Sequence, residues 1–187
     1  EGEMALLEVC KRIDNKQNIT ESPSFIFKIK DDEGKTSFKV NPTLELKHID
    51  ELDDPDYTVF DYKRIIKDSG NVFAMMLGRG CPYKCTYCAS AHLSKEYPNP
   101  QDWVRFPSIE RSIRIIKDNL ELYPDTRSII FADDTFTVRK TWVKDFCKEY
   151  KKEIGLPFEC NARVETISDS VCEDLKSAGC TSIDFGV

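Results

Sequence analysis

Several things are missing from this 187-residue chain, and each absence narrows what it can be. There is no long apolar run and no secretory signal, so a membrane-spanning helix is not expected and a reducing, cytoplasmic setting fits best. Positive charge is not in excess: 27 Lys and Arg stand against 33 Asp and Glu, a formal net charge of -6, which gives none of the broad basic field that drives nucleic-acid binding. A disulfide framework is also missing, because eight cysteines are diluted through the chain and three of them crowd one stretch. Histidine is scarce, with only His48 and His92. Disorder is not indicated, since 40% hydrophobic and 32% charged residues can bury the core of one ordinary domain with some extra structure.

What is present is concentrated in Gly78-Arg79-Gly80-Cys81-Pro82-Tyr83-Lys84-Cys85-Thr86-Tyr87-Cys88. Spacings of three and then two residues let one loop wrap Cys81, Cys85 and Cys88 around a single metal centre. A 4Fe-4S cluster takes four protein ligands in an ordinary electron carrier, and this loop supplies three. The remaining iron is then an open coordination position for substrate or cofactor. Two other readings stay open. Adding His92 makes a closed zinc site of a structural module, and a simple iron-sulfur carrier would need a fourth thiolate, for which the nearest cysteine downstream is Cys147. Gly78 and Gly80 suit a tight backbone path, and Arg79 suits a loop-positioning role. Cys10, Cys147, Cys160, Cys172 and Cys180 lack cluster spacing and read as small buried residues or ordinary thiols.

After the loop the hydrophobic period switches repeatedly between two and 3.6, which reads as alternating strands and helices. Val72 to Leu77 is a buried strand leading into the loop. A helix capped by Ser108 buries Ile109, Ile113, Ile116 and Leu120, with Glu110 in its first turn, and Pro124 stops it. Ser128 to Ala132 is a second strand that ends at Asp133 and Asp134. A second helix buries Val143, Phe146, Cys147, Tyr150 and Ile154 and closes at Gly155 and Pro157. Phe158 to Arg163 is a third strand. The third helix is capped by Ser168, stapled by Ile167 against Cys172, lined inside by Val171, Leu175 and Ala178, and stopped at Gly179. Thr181 to Phe185 begins a fourth strand.

This order implies right-handed crossovers in a parallel sheet, hence an α/β fold that is the first part of a (β/α) TIM-like barrel. Phe158, Cys160 and Ala162 alternate with Glu159, Asn161 and Arg163, and Ile183 and Phe185 with Ser182 and Asp184, so one sheet face is polar and suits a cavity for a charged ligand. The cysteine loop and the aspartate pair both follow strands and fall at the same, carboxyl end, where ligands bind in such folds. Taken alone, Asp133 and Asp134 read as a solvated strand end, and Arg163 as an ion-pair partner of Glu159 or Asp184.

The cysteine run, with an aromatic Tyr87 before its third Cys, resembles the signature of the radical S-adenosylmethionine (radical SAM) superfamily. The resemblance implies that Cys81, Cys85 and Cys88 hold a 4Fe-4S cluster and that S-adenosylmethionine chelates the fourth iron. Electron transfer into its sulfonium then gives a 5'-deoxyadenosyl radical that abstracts hydrogen from a small-molecule or peptide substrate, with flavodoxin or ferredoxin as reductant. Phe131-Ala132-Asp133-Asp134-Thr135-Phe136 resembles the end of the second strand in cobalamin-associated members, which implies that Asp133 and Asp134 contact the cofactor through its amino group. Tyr87, the aromatic residue of the cysteine motif, is expected at the cofactor as well, and Arg163, on the polar face of the third strand, has the planar fork to hold the methionine carboxylate.

The pieces before the barrel carry a weaker likeness to the same class. Residues 1–20, with a helix from Met4 to Ile13, resemble the tail of a cobalamin-binding domain. Residues 21–70 resemble the acidic linker, with a hairpin over Ser24 to Val40 turning at Asp31-Asp32-Glu33-Gly34, and 71–187 the radical SAM core. Neither His48 nor His92 lies in the Asp-x-His-x-x-Gly motif that places histidine on cobalt, so cobalamin is expected only through a domain outside this chain. The start at Glu1 and the end at Val187, inside an expected strand, read as those of an excerpt.

Overall fold

The computed structural model describes residues 1–186. The chain divides into two units, Glu1–Leu46 with Lys84–Trp103, and Lys47–Tyr83 with Val104–Val187. The first unit contains helix α1 (Glu3–Asp14), an antiparallel hairpin of β1 (Ile26–Lys30) and β2 (Thr36–Val40), and, after the cysteines, the one-turn helix α3 (Ser90–Leu93). The second contains α2 (Tyr62–Asp68), β3 (Val72–Met75), α4 (Ile109–Leu122), β4 (Ser128–Phe131), α5 (Lys140–Glu153), β5 (Phe158–Ala162), α6 (Asp169–Ala178) and β6 (Cys180–Phe185). β6 ends at Phe185 and Gly186 is not part of it, while the expected strand position Val187 lies outside the described residues.

In the hairpin, Asp31 does the turning. Its carbonyl accepts from Gly34 N–H and its carboxylate from Glu33 and Lys35 N–H, while Gly34 sits at φ 79°, where a side chain would be strained. Register then follows, from Ile26 opposite Val40 to Lys30 opposite Thr36.

In the second unit the strands pair in chain order, β3-β4-β5-β6, all parallel, so the expected partial α/β barrel sheet is present. One face carries Phe73, Met75, Ile129, Phe131, Phe158 and Cys160, and the buried sides of α4, α5 and α6 cover it with Ile113, Ile116, Val143, Phe146, Tyr150, Val171 and Leu175. Aromatic edges and faces lock this layer: Phe146 lies 5.4 Å from Phe131, 5.4 Å from Phe136 and 5.0 Å from Trp142. The opposite face bears the row Ala74, Ile130, Glu159, Ser182, and beyond it Asn161 beside Asp184, so it is polar on β5 and β6, as expected from their alternation, and apolar on β3 and β4.

Helix starts and stops are mostly those of the sequence pattern. Ser108 accepts from Arg111 N–H at the head of α4, and Gly179 ends α6 in the left-handed region at φ 99°. Three details differ. Ser168 stands at the α6 N-cap but its hydroxyl meets that of Ser170 rather than a helix amide, Cys172 is exposed and so no staple residue, and the exposed Phe185 lies on the outermost strand of the sheet.

The acidic segment before α2 is packed, not loose. Asp50 accepts from Ser108 N–H, and Asp54 pairs with Arg114 (2.6 Å) and Arg111 (2.9 Å), the Arg114 hydrogen bond first among the causes that hold its carboxyl below the usual range. Among the described residues no helix is long and apolar enough to cross a membrane. Phe146 is fully buried at the centre of the aromatic layer. Phe146→Ala is expected to cost about 3–5 kcal/mol by urea denaturation, because the cavity it leaves cannot close between two rigid layers.

Candidate cluster site at the strand ends

Three of the four parallel strands of the second unit each deliver one segment to the same end of the sheet. β3 leads through Leu77 and Gly78 to Cys81, β4 leads to Asp133, Asp134 and Thr135, and β5 leads to Arg163. The backbone ladder continues one step beyond the strands, as Ala132 N–H donates to Met75 C=O.

The tightest link is a carboxylate. Asp133 is 2% exposed and accepts from Leu77 N–H at Oδ2 (3.2 Å) and from Gly78 N–H at Oδ1 (2.5 Å). These amides lie past the last β3–β4 pair and need a partner once buried, and the side chain supplies it. Gly78 is required for closeness, since a Cβ there would come within 2.8 Å of the Phe106 ring and 2.9 Å of Asp133 Oδ1. Gly80, at φ 81°, meets the other glycine requirement, a left-handed turn. Between them Arg79 exchanges both backbone hydrogen bonds with Arg105, at 2.8 and 2.9 Å, which fixes the approach to Cys81.

Cys81 is half-buried, with its Sγ 3.4 Å from Thr135 Oγ1. Tyr83, two residues on, lies under the Arg163 guanidinium at 4.2 Å from the ring centroid, a cation-π contact. Arg163 also pairs with Glu165 at 2.8 Å, a partner that sequence spacing did not suggest. Asn161 donates to Asp133 C=O (3.1 Å) and accepts, through its own carbonyl, from Phe136 N–H (2.9 Å), pinning the turn that holds the aspartates. Asp134 is exposed.

In the first unit, Cys88 N–H donates to Cys85 C=O (3.1 Å) in a tight turn, both thiols are partly exposed, Tyr87 is 78% exposed, and His92 lies exposed on α3. All eight cysteines are thiols. Cys147 and Cys160 are buried in the core, whereas Cys10 and Cys172 are exposed. Among the described residues no three His, Cys, Asp or Glu side chains converge into a group that could hold a metal ion, with or without His92. The donor set nevertheless has the chemistry of an iron-sulfur ligand set: three soft sulfur donors within eight residues, accessible and in no disulfide.

The sequence pointed to the three thiols, the aspartate pair, Tyr87 and Arg163, and not to Thr135, Tyr83 and Phe106, which the structure places around them. Thr135 could have been found as a hydroxyl adjoining the aspartates at the end of the strand beside the loop. Phe106 carries no such signal, because its contact with Gly78 is set by tertiary packing.

Burial pushes the Asp133 carboxyl up from its ordinary value to about 6, with the two backbone N–H bonds opposing. Because the folded value lies above the unfolded one, this group's contribution to stability is complete below about pH 4 and is lost as pH rises through about 6. Chemical denaturation of wild type and Asp133→Asn across pH 4–7 is expected to show this downward slope in wild type and its absence in the variant.

Comparison with known proteins adds to this geometry. A sequence model of the radical SAM superfamily matches residues 75–187. A Pyrococcus horikoshii protein named as an uncharacterized methyltransferase is 28% identical over 148 residues, 78% of this chain and 30% of the relative, so the chain spans under a third of that relative's length.

Proposed function

The chain belongs to the radical SAM superfamily, and from that premise we propose that Cys81, Cys85 and Cys88 hold a 4Fe-4S cluster whose remaining iron takes S-adenosylmethionine. The observation that carries this reading is the placement of Cys81 at the carboxyl end of a parallel sheet, beside the segments that bear Asp134, Thr135 and Arg163. When bound, the cluster and S-adenosylmethionine would supply reductive cleavage of the sulfonium and, with it, hydrogen abstraction from the substrate.

The chain's own residues divide the remaining work. Asp133, with both oxygens engaged by backbone amides, holds the start of the loop, and exposed Asp134 receives the cofactor's ammonium group. Arg163 steadies Tyr83 and offers its guanidinium to the methionine carboxylate. The exposed ring of Tyr87 packs on the cofactor. Closing of the three thiols around iron is part of binding, as expected where ligand and fold are coupled. The open face with Glu159, Asn161, Ser182 and Asp184 receives a polar substrate.

Methyl transfer is the reaction to test first, given the name of the Pyrococcus relative. Flavodoxin or ferredoxin fits the role of electron donor. A cobalamin, if used, would be held outside this chain, since His48 lies in Lys47-His48-Ile49-Asp50 and His92 follows the cysteines.

Anaerobic reconstitution followed by iron, sulfide and zinc analysis tests the assignment. Iron with equal acid-labile sulfide is expected, lost in Cys85→Ala and kept in His92→Ala. Zinc without sulfide, or loss of metal in His92→Ala, would replace the cluster by a zinc site.

A further inference from the structure

Thr135 is 2% exposed, and its single hydroxyl proton faces two acceptors: the Asp134 carbonyl oxygen at 2.7 Å and Cys81 Sγ at 3.4 Å. With a protonated thiol the chain of bonds is complete. The Cys81 S–H donates to Thr135 Oγ1, and Thr135 O–H donates to the Asp134 carbonyl.

A cysteine bound to iron is a thiolate and has no proton to give. Two lone-pair-bearing atoms would then face each other at 3.4 Å, unless the hydroxyl turns its proton toward sulfur. The backbone around it has little freedom to move instead, because Phe136 N–H is bonded to Asn161 C=O and Asn161 Nδ2 to Asp133 C=O. With Cys81 keeping this place and Cys85 and Cys88 closing toward it, turning the hydroxyl is the low-cost response.

Resting on the reading of Cys81 as a cluster ligand, we propose that the Thr135 hydroxyl donates a hydrogen bond to the Cys81 sulfur in the loaded protein and thereby sets the reduction potential of the cluster. A hydrogen bond to a ligand sulfur stabilises the electron-richer, reduced form and raises the potential. The same turn withdraws the hydroxyl from the Asp134 carbonyl, which becomes available to the ammonium group of the cofactor. Thr135 is thus a tuning residue, not a reacting one.

The test is an anaerobic, spectroscopically monitored redox titration of the reconstituted full-length protein as wild type, Thr135→Val, Thr135→Ala and Thr135→Ser, with iron and sulfide analysis and thermal melting of each. Expected are full cluster content throughout, a more negative midpoint potential in the Val and Ala variants, and the wild-type potential in the Ser variant. Equal potentials in all four overturn the proposal. So does failure of Val and Ala to take iron while Ser loads normally, which would make the hydroxyl an assembly determinant. Wild type lacking iron and sulfide removes the cluster reading itself, and is told apart from the other outcomes by the metal analysis alone.

Discussion

The Asp133 carboxylate takes hydrogen bonds from the backbone amides of Leu77 and Gly78, and through that contact the end of one strand dictates where the loop leaving its neighbour can go. Parallel pairing alone brings β3 and β4 side by side only as far as Met75 and Phe131. Past that point the two chains must diverge into different loops, and buried amides without a partner would cost about 1–3 kcal/mol each. One side chain settles both amides at once. Its position then draws in Gly78, where Phe106 and the carboxylate leave no room for a Cβ, and next the Arg79–Arg105 exchange that delivers Cys81.

The surroundings of Cys81 follow from the same geometry. Thr135 is two residues from Asp133, so anchoring the aspartate brings the hydroxyl to the sulfur. Asn161, on the open face of β5, braces the turn from the other side, and Arg163 reaches the ring of Tyr83. β-strand alternation sorts these side chains. Phe158, Cys160 and Ala162 are buried, the first two in the core under the helices, which leaves Glu159, Asn161 and Arg163 on the other side.

Much of this was legible in the sequence because it is written in short-range patterns. The helical spacing of Val143, Phe146, Cys147 and Tyr150, the cap at Ser108, the turn at Gly34 and the stop at Gly179 each depend on a few neighbouring residues, and each stands in the structure. Cysteine spacing is equally local, and it led to the superfamily that residues 75–187 match. What sequence did not disclose depends on pairs distant along the chain. Arg111 is buried with its Nη2 held by the Asp53 carbonyl and the Asp54 carboxylate, nearly sixty residues earlier, while its Nε has no hydrogen-bond partner among the described residues. Asp133 reads as an exposed acid until its amide partners, more than fifty residues away, are seen. The hydroxyl of Ser168 fails to cap α6 because it bonds another side chain, a choice that residue type alone does not determine.

The account turns on an iron that protein leaves unligated and S-adenosylmethionine fills. Its most direct measurement is electron paramagnetic resonance of the reduced, reconstituted protein with S-adenosylmethionine carrying ¹⁵N in its amino group. A changed cluster signal with a resolved nitrogen coupling is predicted. A reduced cluster whose spectrum is indifferent to the cofactor would contradict the open-iron site.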